Sequence, residues 1–272
     1  MRKIIVNFRK IALRKKFDEA KLNMQDKLQQ LLVIVATVGM IVLNWLAAIG
    51  ILGGIETGAI SDKYPTHITP AGFAFAIWGL IYLGMLVFSL YQALPSNAAK
   101  FRGLRRIYIL SCVANGAWLY VWSQEMMVVS LGIIIVLLLT LAVINVKLRA
   151  TETIAEYWLA KVPFGIYFGW VTAAAILNAT VTLVSLGVDF SDTATKLTGA
   201  ALILIAAALG AFVRWKLKNY FYPLAVAWAL TAIAVKQSGQ TLIVTACAIG
   251  VIICLLAAVS FVMDMNSSEN PA

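Results

Sequence analysis

The chain has 272 residues, of which 62% are hydrophobic and only 12% are charged, and its formal net charge at pH 7 is +10. Soluble globular domains carry about 25% charged residues, so this composition excludes a domain whose whole surface faces water. A net charge of this size would suggest nucleic acid as the partner of a soluble protein. Here the basic residues lie between apolar runs, and we expect no nucleic-acid partner.

Long apolar runs with almost no internal charge follow one another along the chain. A helix needs about 20 apolar residues to cross ~30 Å of hydrocarbon, and a single segment in lipid can pair its backbone only as a helix. We therefore predict an all-α fold, a polytopic transmembrane helical bundle of about eight spans. The predicted spans are Leu31–Leu52, Ala71–Leu94, Ile107–Ser123, Met126–Leu148, Val162–Leu186, Gly199–Trp215, Phe221–Val235 and Leu242–Met263.

The basic residues are distributed unevenly between the two sides that these spans define. Of the 22 Lys and Arg residues, only Lys63, Lys196 and Lys236 fall on the side opposite the amino terminus. This is the positive-inside pattern, which places the basic loops in the cytoplasm. We expect an integral multi-pass protein of the bacterial cytoplasmic membrane with both termini in the cytoplasm.

Residues 1–30 form a basic segment with apolar residues at helical spacing, such as Ile4, Phe8 and Ile11. Clustered cations beside an apolar face suit anionic lipid headgroups, so we interpret the segment as a basic amphipathic cytoplasmic helix. Two other interpretations stay open, namely a solvated tail that only enforces topology and an organellar presequence.

Aromatic and amide side chains recur on one face of three predicted spans. The sets are Phe75, Trp78 and Tyr82 in span two, Asn115, Trp118 and Trp122 in span three, and Tyr167, Trp170 and Asn178 in span five. Residues three, four or seven apart share a helix face. Core packing with aromatic belts at the lipid interface explains these sets. An aromatic pocket with a few polar groups explains them equally well.

The loop before span two carries the single histidine, His67, without a second His or Cys nearby, so we expect no metal site. The loop ends in Thr69 and Pro70. We expect Thr69 to cap the first amides of span two, and Pro70 fits the first helical turn.

Several of these stretches resemble a known family. Thr69-Pro70-Ala71-Gly72-Phe73 leading to Trp78 and Tyr82, Asn115-Gly116-Ala117-Trp118, and Pro163-Phe164-Gly165-Ile166-Tyr167-Phe168-Gly169-Trp170 followed by Leu177-Asn178-Ala179-Thr180 stand in the order and spacing of the tryptophan-rich sensory protein family. This family is also called the translocator protein or peripheral benzodiazepine receptor family. The resemblance covers about Leu31–Leu186.

The resemblance implies a five-helix core over residues 31–186 with a pocket between helices, roofed by the loop after helix one. Beyond that core we predict an additional three-helix membrane segment over residues 187–264 and a polar cytoplasmic tail over residues 265–272. Family members bind tetrapyrroles, and some bind sterols or synthetic aromatic ligands. The implied ligand-binding residues are Trp78, Tyr82, Asn115, Trp118, Phe164, Tyr167, Trp170 and Asn178. Among them, Phe164 stands in the place of a family Tyr, and Tyr167 is added from the aromatic face of span five.

Two features depart from the family pattern. The loop from Tyr64 to Pro70 lacks the Trp that the family has between prolines, which leaves porphyrin specificity open, and three spans follow the resembling region.

We expect a binding or sensory membrane protein for a flat hydrophobic ligand such as a tetrapyrrole, with the bilayer and that ligand as partners and no resident cofactor other than a porphyrin or haem ligand. A homodimer is left open. The alternative is facilitative transport of a small amphipathic or neutral solute. Titratable groups such as Glu125, Lys147 and Lys161 stand at span ends, and no catalytic constellation is visible, so we expect no enzyme.

Overall fold

The computed structural model describes residues 2–54, 56–188 and 191–260, with side chains from Leu22 onward. Over these residues the fold is all-helical, which confirms the predicted class. The helices are α1 (Arg2–Ala48), α2 (Thr57–Lys63), α3 (Ile77–Tyr91), α4 (Arg102–Ser123), α5 (Met127–Lys147), α6 (Ile154–Glu156), α7 (Val162–Ser185), α8 (Asp192–Leu217), α9 (Phe221–Lys236) and α10 (Thr241–Val259). Tight 3₁₀ turns at Gly72–Ala76 and Pro95–Asn97 and a π turn at Tyr157–Lys161 complete them.

Six described segments are long and apolar enough to cross a membrane, namely Leu22–Ala48, Gly72–Tyr91, Met127–Lys147, Ile154–Ser185, Asp192–Leu217 and Thr241–Val259. The other two long helices are α4, which has three arginines among its first five residues, and α9, which has 16 residues. At 1.5 Å per residue α9 is about 24 Å long, shorter than the hydrocarbon. It runs between α7, α8 and α10, so protein rather than lipid surrounds most of it.

The predicted span limits agree with the described helical segments to within three residues, except at four ends. Helix α1 ends at Ala48 and not at Leu52, and α4 begins at Arg102, ahead of the predicted Ile107. Helix α1 continues from Arg2 through residue 30 without a break, and α8 begins at Asp192, ahead of the predicted Gly199. The predicted headgroup contacts of residues 1–21 involve side chains outside the described part. The predicted tail, residues 265–272, and the predicted end of span eight at Met263 also lie outside the described residues.

Helix α7 lies at the centre of the bundle and packs against α3, α5 and α9. Its contact with α3 is close because Gly84 has no side chain. A Cβ added at Gly84 would lie 2.8 Å from Cβ of Pro163. Small residues at such crossings let helices in membranes approach each other closely. Gly84 therefore sets the distance between the two helices that carry Trp78 and Trp170.

At one end of the bundle, a buried guanidinium ties α1 to the connection between α3 and α4. Arg105 is 0% exposed and donates from Nε to Oε1 of Gln92 at 2.8 Å and from Nη1 to Oδ1 of Asp26 at 3.3 Å. Its Nη2 donates to the carbonyl oxygens of Ala98 at 2.7 Å and Asn97 at 3.3 Å. Each acceptor is thus paired with a donor of the same buried side chain, and the packed bundle includes Asp26, before the predicted start at residue 31.

At the other end, residues 56–71 form a folded segment, here called the roof, which includes α2. The indole of Trp122 donates to the carbonyl oxygen of Thr57 at 3.1 Å, and the amide of Ala71 donates to the carbonyl oxygen of Ala232 at 3.0 Å. The side chain of Gln237 donates to the carbonyl oxygen of Thr66 at 3.1 Å. The roof is therefore held both by α4 and by the end of α9.

The predicted cap at Thr69 is wrong. The Thr69 hydroxyl accepts from the backbone amide of Thr66 at 3.1 Å and contacts the Thr66 hydroxyl at 3.0 Å. The turn that opens span two at Gly72 follows Ala71 and receives no side-chain cap. The hydroxyl thus closes the roof loop on itself, and the backbone bond to Ala232 satisfies the Ala71 amide instead.

Candidate functional site

Trp78 lies at the centre of a continuous group of aromatic rings contributed by α3, α4 and α7. Its indole stacks on Tyr82 with ring centroids 5.4 Å apart and lies 6.3 Å from Trp118. It meets the rings of Tyr167 and Trp170 edge-on at 5.9 and 6.1 Å. Aromatic pairs prefer offset or edge-on geometry at these separations. The three helix faces identified in the sequence therefore meet in one cluster.

The polar groups beside these rings form a hydrogen-bonded chain with α1. Nδ2 of Asn44 donates to Oδ1 of Asn115 at 2.7 Å and to the carbonyl oxygen of Met40 at 2.8 Å. The hydroxyl of Tyr82 donates to Oδ1 of Asn44. Asn115 is 0% exposed. This chain fixes Tyr82, and with it the stacking partner of Trp78.

Several polar atoms of the cluster lack a hydrogen-bond partner. The indole nitrogens of Trp118 and Trp170 are buried and donate to no atom of the described residues. The Tyr167 hydroxyl and Nδ2 of Asn115 are also buried without a partner of normal geometry. Buried polar groups are nearly always paired in folded proteins, so unpaired ones require an explanation such as a bound water or ligand. The two indole nitrogens can only donate hydrogen bonds, so the cluster favours a molecule with acceptors.

A cavity of about 40 Å³ lies against Trp118 and Trp170. Roof residues cover it, and α9 contributes Ala229 and Ile233 to its wall; the lining residues are Thr57, Ile68, Pro70, Phe75, Trp118, Trp122, Trp170, Ala173, Ala174, Leu177, Asn178, Ala229 and Ile233. This volume holds about one water molecule, whereas sites for small molecules measure about 300–1,000 Å³. The cavity is thus too small for a flat ligand, which requires some of the lining side chains to move.

The predicted site residues divide into three groups. Trp118, Trp170 and Asn178 line the cavity, and Trp78, Tyr82, Asn115 and Tyr167 form the layer of rings and amides behind it. Phe164 lies elsewhere, in a second cluster with Phe88 at 4.8 Å and Tyr108 at 5.5 Å.

Asn178 also joins helices. Its Oδ1 accepts from the Ser130 hydroxyl at 3.1 Å, and the Thr182 hydroxyl donates to the Asn178 carbonyl oxygen at 2.8 Å. The amide side chain therefore links α7 to α5 while its residue lines the cavity.

Sequence reasoning missed the α9 wall and the roof residues Thr57 and Ile68. Ala229 and Ile233 carry no polar or aromatic signal, and only their position opposite the cluster shows their role. Phe75 and Trp122 lie on the aromatic faces identified in the sequence but were not predicted as ligand-binding residues. Phe75 meets Trp170 edge-on at 5.9 Å, and Trp122 stacks on Trp118 at 5.7 Å.

Ion pairs hold the edges of the roof. Lys63 pairs with Glu125 in the α4–α5 connection, and the Tyr64 hydroxyl donates to Oε2 of Glu125 at 2.8 Å. These two hydrogen bonds lower the pKa of Glu125, and the bond from Lys63 has the larger effect. The bond to the same carboxylate raises the pKa of Tyr64. On the other edge, Lys236 donates to Asp62 at 3.0 Å.

No group of three or more His, Cys, Asp or Glu residues that could hold a metal ion occurs in the described part of the chain.

A sequence model of the family described as TSPO-like protein matches residues 30–260 of this chain. The match does not stop at residue 186, where the motif resemblance ends, but runs through α8, α9 and α10. No curated protein and no solved structure matches the chain.

Proposed function

Because the chain belongs to the TSPO-like protein family and is an integral multi-pass membrane protein, we propose that it binds a flat hydrophobic ligand, such as a tetrapyrrole, in the aromatic site between α3, α4 and α7. The observation that carries the proposal is the pair of buried, unpaired indole N–H groups of Trp118 and Trp170 beside the cavity. Leaving buried donors unpaired costs free energy that a bound acceptor recovers.

The surrounding rings determine what kind of molecule is favoured. Phe75, Trp118 and Trp170 line the cavity and offer their rings to a flat aromatic body, and the two indole donors favour carbonyl or carboxylate oxygens at its edge. Tetrapyrroles with acidic or carbonyl substituents combine both properties. Because the cavity measures about 40 Å³, binding requires the roof to lift or Phe75 and Trp170 to separate.

The proposal concerns binding without turnover. The ligand is held by ring contacts and by two neutral donors, so it should be recovered chemically unchanged after incubation in the dark. Appearance of a new product under these conditions would show an enzymatic role instead. Counterflow of labelled ligand in proteoliposomes separates passage across the membrane from binding alone.

The test measures quenching of tryptophan fluorescence as protoporphyrin is titrated into the purified protein. We expect saturable quenching, with weaker affinity in Trp118→Phe and in Trp170→Phe. Phenylalanine keeps an aromatic ring but removes the N–H donor, and one hydrogen bond contributes about 0.5–1.5 kcal/mol. This predicts a dissociation constant about 2- to 13-fold higher in each variant.

Trp215→Phe is the matched control, because Trp215 lies on α8, is 71% exposed and is absent from the cavity lining. It should change the total fluorescence but not the affinity. Unchanged affinity in both pocket variants, or an equal loss in the control, contradicts the assignment of the site.

A further inference from the structure

A second and larger cavity, of about 320 Å³, lies beside the aromatic site at the roof end of α7 and α8. Its volume reaches the range of sites that hold small molecules. Its walls come from the roof (Pro65 to Ile68), the last turns of α7, the first turns of α8, and Gln237 after α9. Nearly half of the residues that line it follow residue 186, beyond the motifs found in the sequence.

The cavity is partly open, and exposed apolar residues of α7 lie beside it. Helix α8 packs along α10 and α9 and touches α7 only sparsely, which leaves a gap between α7 and α8. Leu183 and Val184 on the α7 side of this gap are 44% and 40% exposed. An apolar molecule dissolved in the membrane can therefore reach the cavity between these two helices.

The lining has an apolar wall and a polar rim. Leu183, Val184 and Leu202 form the wall, whereas His67 and Gln237 stand at the rim with threonines of α7 and α8. Nε2 of His67 lies 3.6 Å from Oδ1 of Asp192. An amphipathic molecule fits this lining, with its apolar body against the wall and its hydrogen-bonding edge at the rim. The ligand proposed for the aromatic site is a molecule of this kind.

Ile68 separates the two cavities, because its side chain lines both of them. It is 4% exposed and belongs to the roof. Gly199 allows the roof to reach α8, since a Cβ added there would lie 3.2 Å from Cβ of His67 and 3.6 Å from Cγ2 of Ile68. Ile68 thus lies between the larger cavity and the aromatic one.

We propose that the 320 Å³ cavity is a binding site for the flat amphipathic ligand as it arrives from the bilayer, and that the ligand passes from there to the aromatic site when Ile68 moves. This proposal rests on the proposed function for its second step. The first step, occupation of the cavity between α7 and α8, stands on the geometry of the cavity itself.

The kinetic test fills the cavity and measures the rates of ligand exchange by stopped-flow tryptophan quenching with protoporphyrin in proteoliposomes. Thr198 lines the cavity, and Thr198→Phe places a ring in it. We expect the association and dissociation rates to fall together by about tenfold or more, with the dissociation constant unchanged, because only the path is obstructed. Leu197→Phe is the control, since Leu197 is the neighbouring residue, is 58% exposed and does not line the cavity.

A second variant, Ile68→Ala, should raise both rates by removing the partition. Unchanged rates in Thr198→Phe, while the wild-type protein binds protoporphyrin, overturn the proposal and leave the aromatic site intact. An equal slowing in Leu197→Phe also overturns it, because the effect would then come from the helix surface and not from the cavity.

Photolabelling separates this proposal from the failure of the aromatic site. A porphyrin bearing a diazirine should label the peptides that contain Leu183 and Leu202, and excess unlabelled porphyrin should suppress the label. Thr198→Phe should lose this label and Leu197→Phe should keep it. Retention of the label in Thr198→Phe refutes occupation of the cavity, whereas its loss together with unchanged affinity in the Trp118 and Trp170 variants refutes only the aromatic site.

Discussion

Replacement of Arg105 by leucine removes the buried guanidinium that connects α1 with the α3–α4 connection. Four hydrogen bonds are lost, to Gln92, to Asp26 and to two backbone carbonyl oxygens. Asp26 keeps its other partner, Arg102, which donates to both carboxylate oxygens at 2.8 and 2.5 Å. The main cost therefore comes from the buried amide and carbonyl oxygens that lose their donor.

Leaving a buried acceptor without its donor costs about 1–3 kcal/mol, and we expect Arg105→Leu to lower the free energy of unfolding by at least this amount. Arg105→Lys should lose less, because lysine keeps the charge but lacks the planar fork that serves several acceptors. The assay is unfolding of the purified protein in mixed micelles by titration with sodium dodecyl sulfate, followed by circular dichroism.

Arg106→Leu provides the control, because Arg106 is the next residue of α4 and is exposed. Substitutions at exposed positions usually change stability by no more than about 0.5 kcal/mol. A loss below about 1 kcal/mol in Arg105→Leu, or an equal loss in both variants, would refute the view that this side chain holds the end of the bundle together.

Two further perturbations concern the crossing of α3 with α7 and the edge of the roof. Gly84→Ala brings a Cβ to 2.8 Å from Pro163, and the overpacking should cost about 1–3 kcal/mol of stability in the same unfolding assay. Gly79→Ala is the control, because no atom lies within 4 Å of the added carbon, and it should be neutral or slightly stabilising. Equal effects of the two substitutions would contradict the close approach of α3 and α7. Glu125→Gln removes the roof contact with Lys63 and should speed ligand exchange at pH 7, measured by stopped-flow quenching. Because the pKa of Glu125 is lowered when the roof is closed, its contribution is complete above the ordinary value of about 4.3 and is lost as pH falls through the lowered value. Wild-type exchange should therefore accelerate below about pH 4, and an acid step of the same size in Glu125→Gln would assign it to other groups.

Hydropathy and helical periodicity predicted most of the fold, because a helix in lipid must be apolar over its length and carries its pattern locally. Periodicity also brought Trp78, Trp118 and Trp170 to faces that meet in the structure. The family resemblance added Phe164 on the same helix as Trp170, but that ring packs with Phe88 and Tyr108 in a different cluster. Residue spacing identifies which residues share a helix face, but not at which position along the helix that face meets a neighbouring helix.

The parts that the sequence did not predict depend on contacts between distant residues. Arg105 was counted among the cytoplasmic cations, and nothing local distinguishes it from Arg106, yet the first is buried and the second exposed. The α9 wall was missed for the same reason, since Ala229 and Ile233 are ordinary apolar residues until the helix is placed against the cavity. Burial among partners far along the chain leaves no periodic signal.

The backbone bond between Ala71 and Ala232 has a consequence for how the chain can be divided. A shortened protein that ends at residue 186 would keep every indole of the cluster around Trp78 but would lack the acceptor for the Ala71 amide and the side of the cavity formed by Ala229 and Ile233. Such a fragment does not contain the same site, because its roof would be held by α4 alone and the side of the cavity that α9 forms would face lipid. Helix α9 is therefore integral to the architecture that the first five spans begin, and any experiment on the site requires the chain at least as far as Gln237.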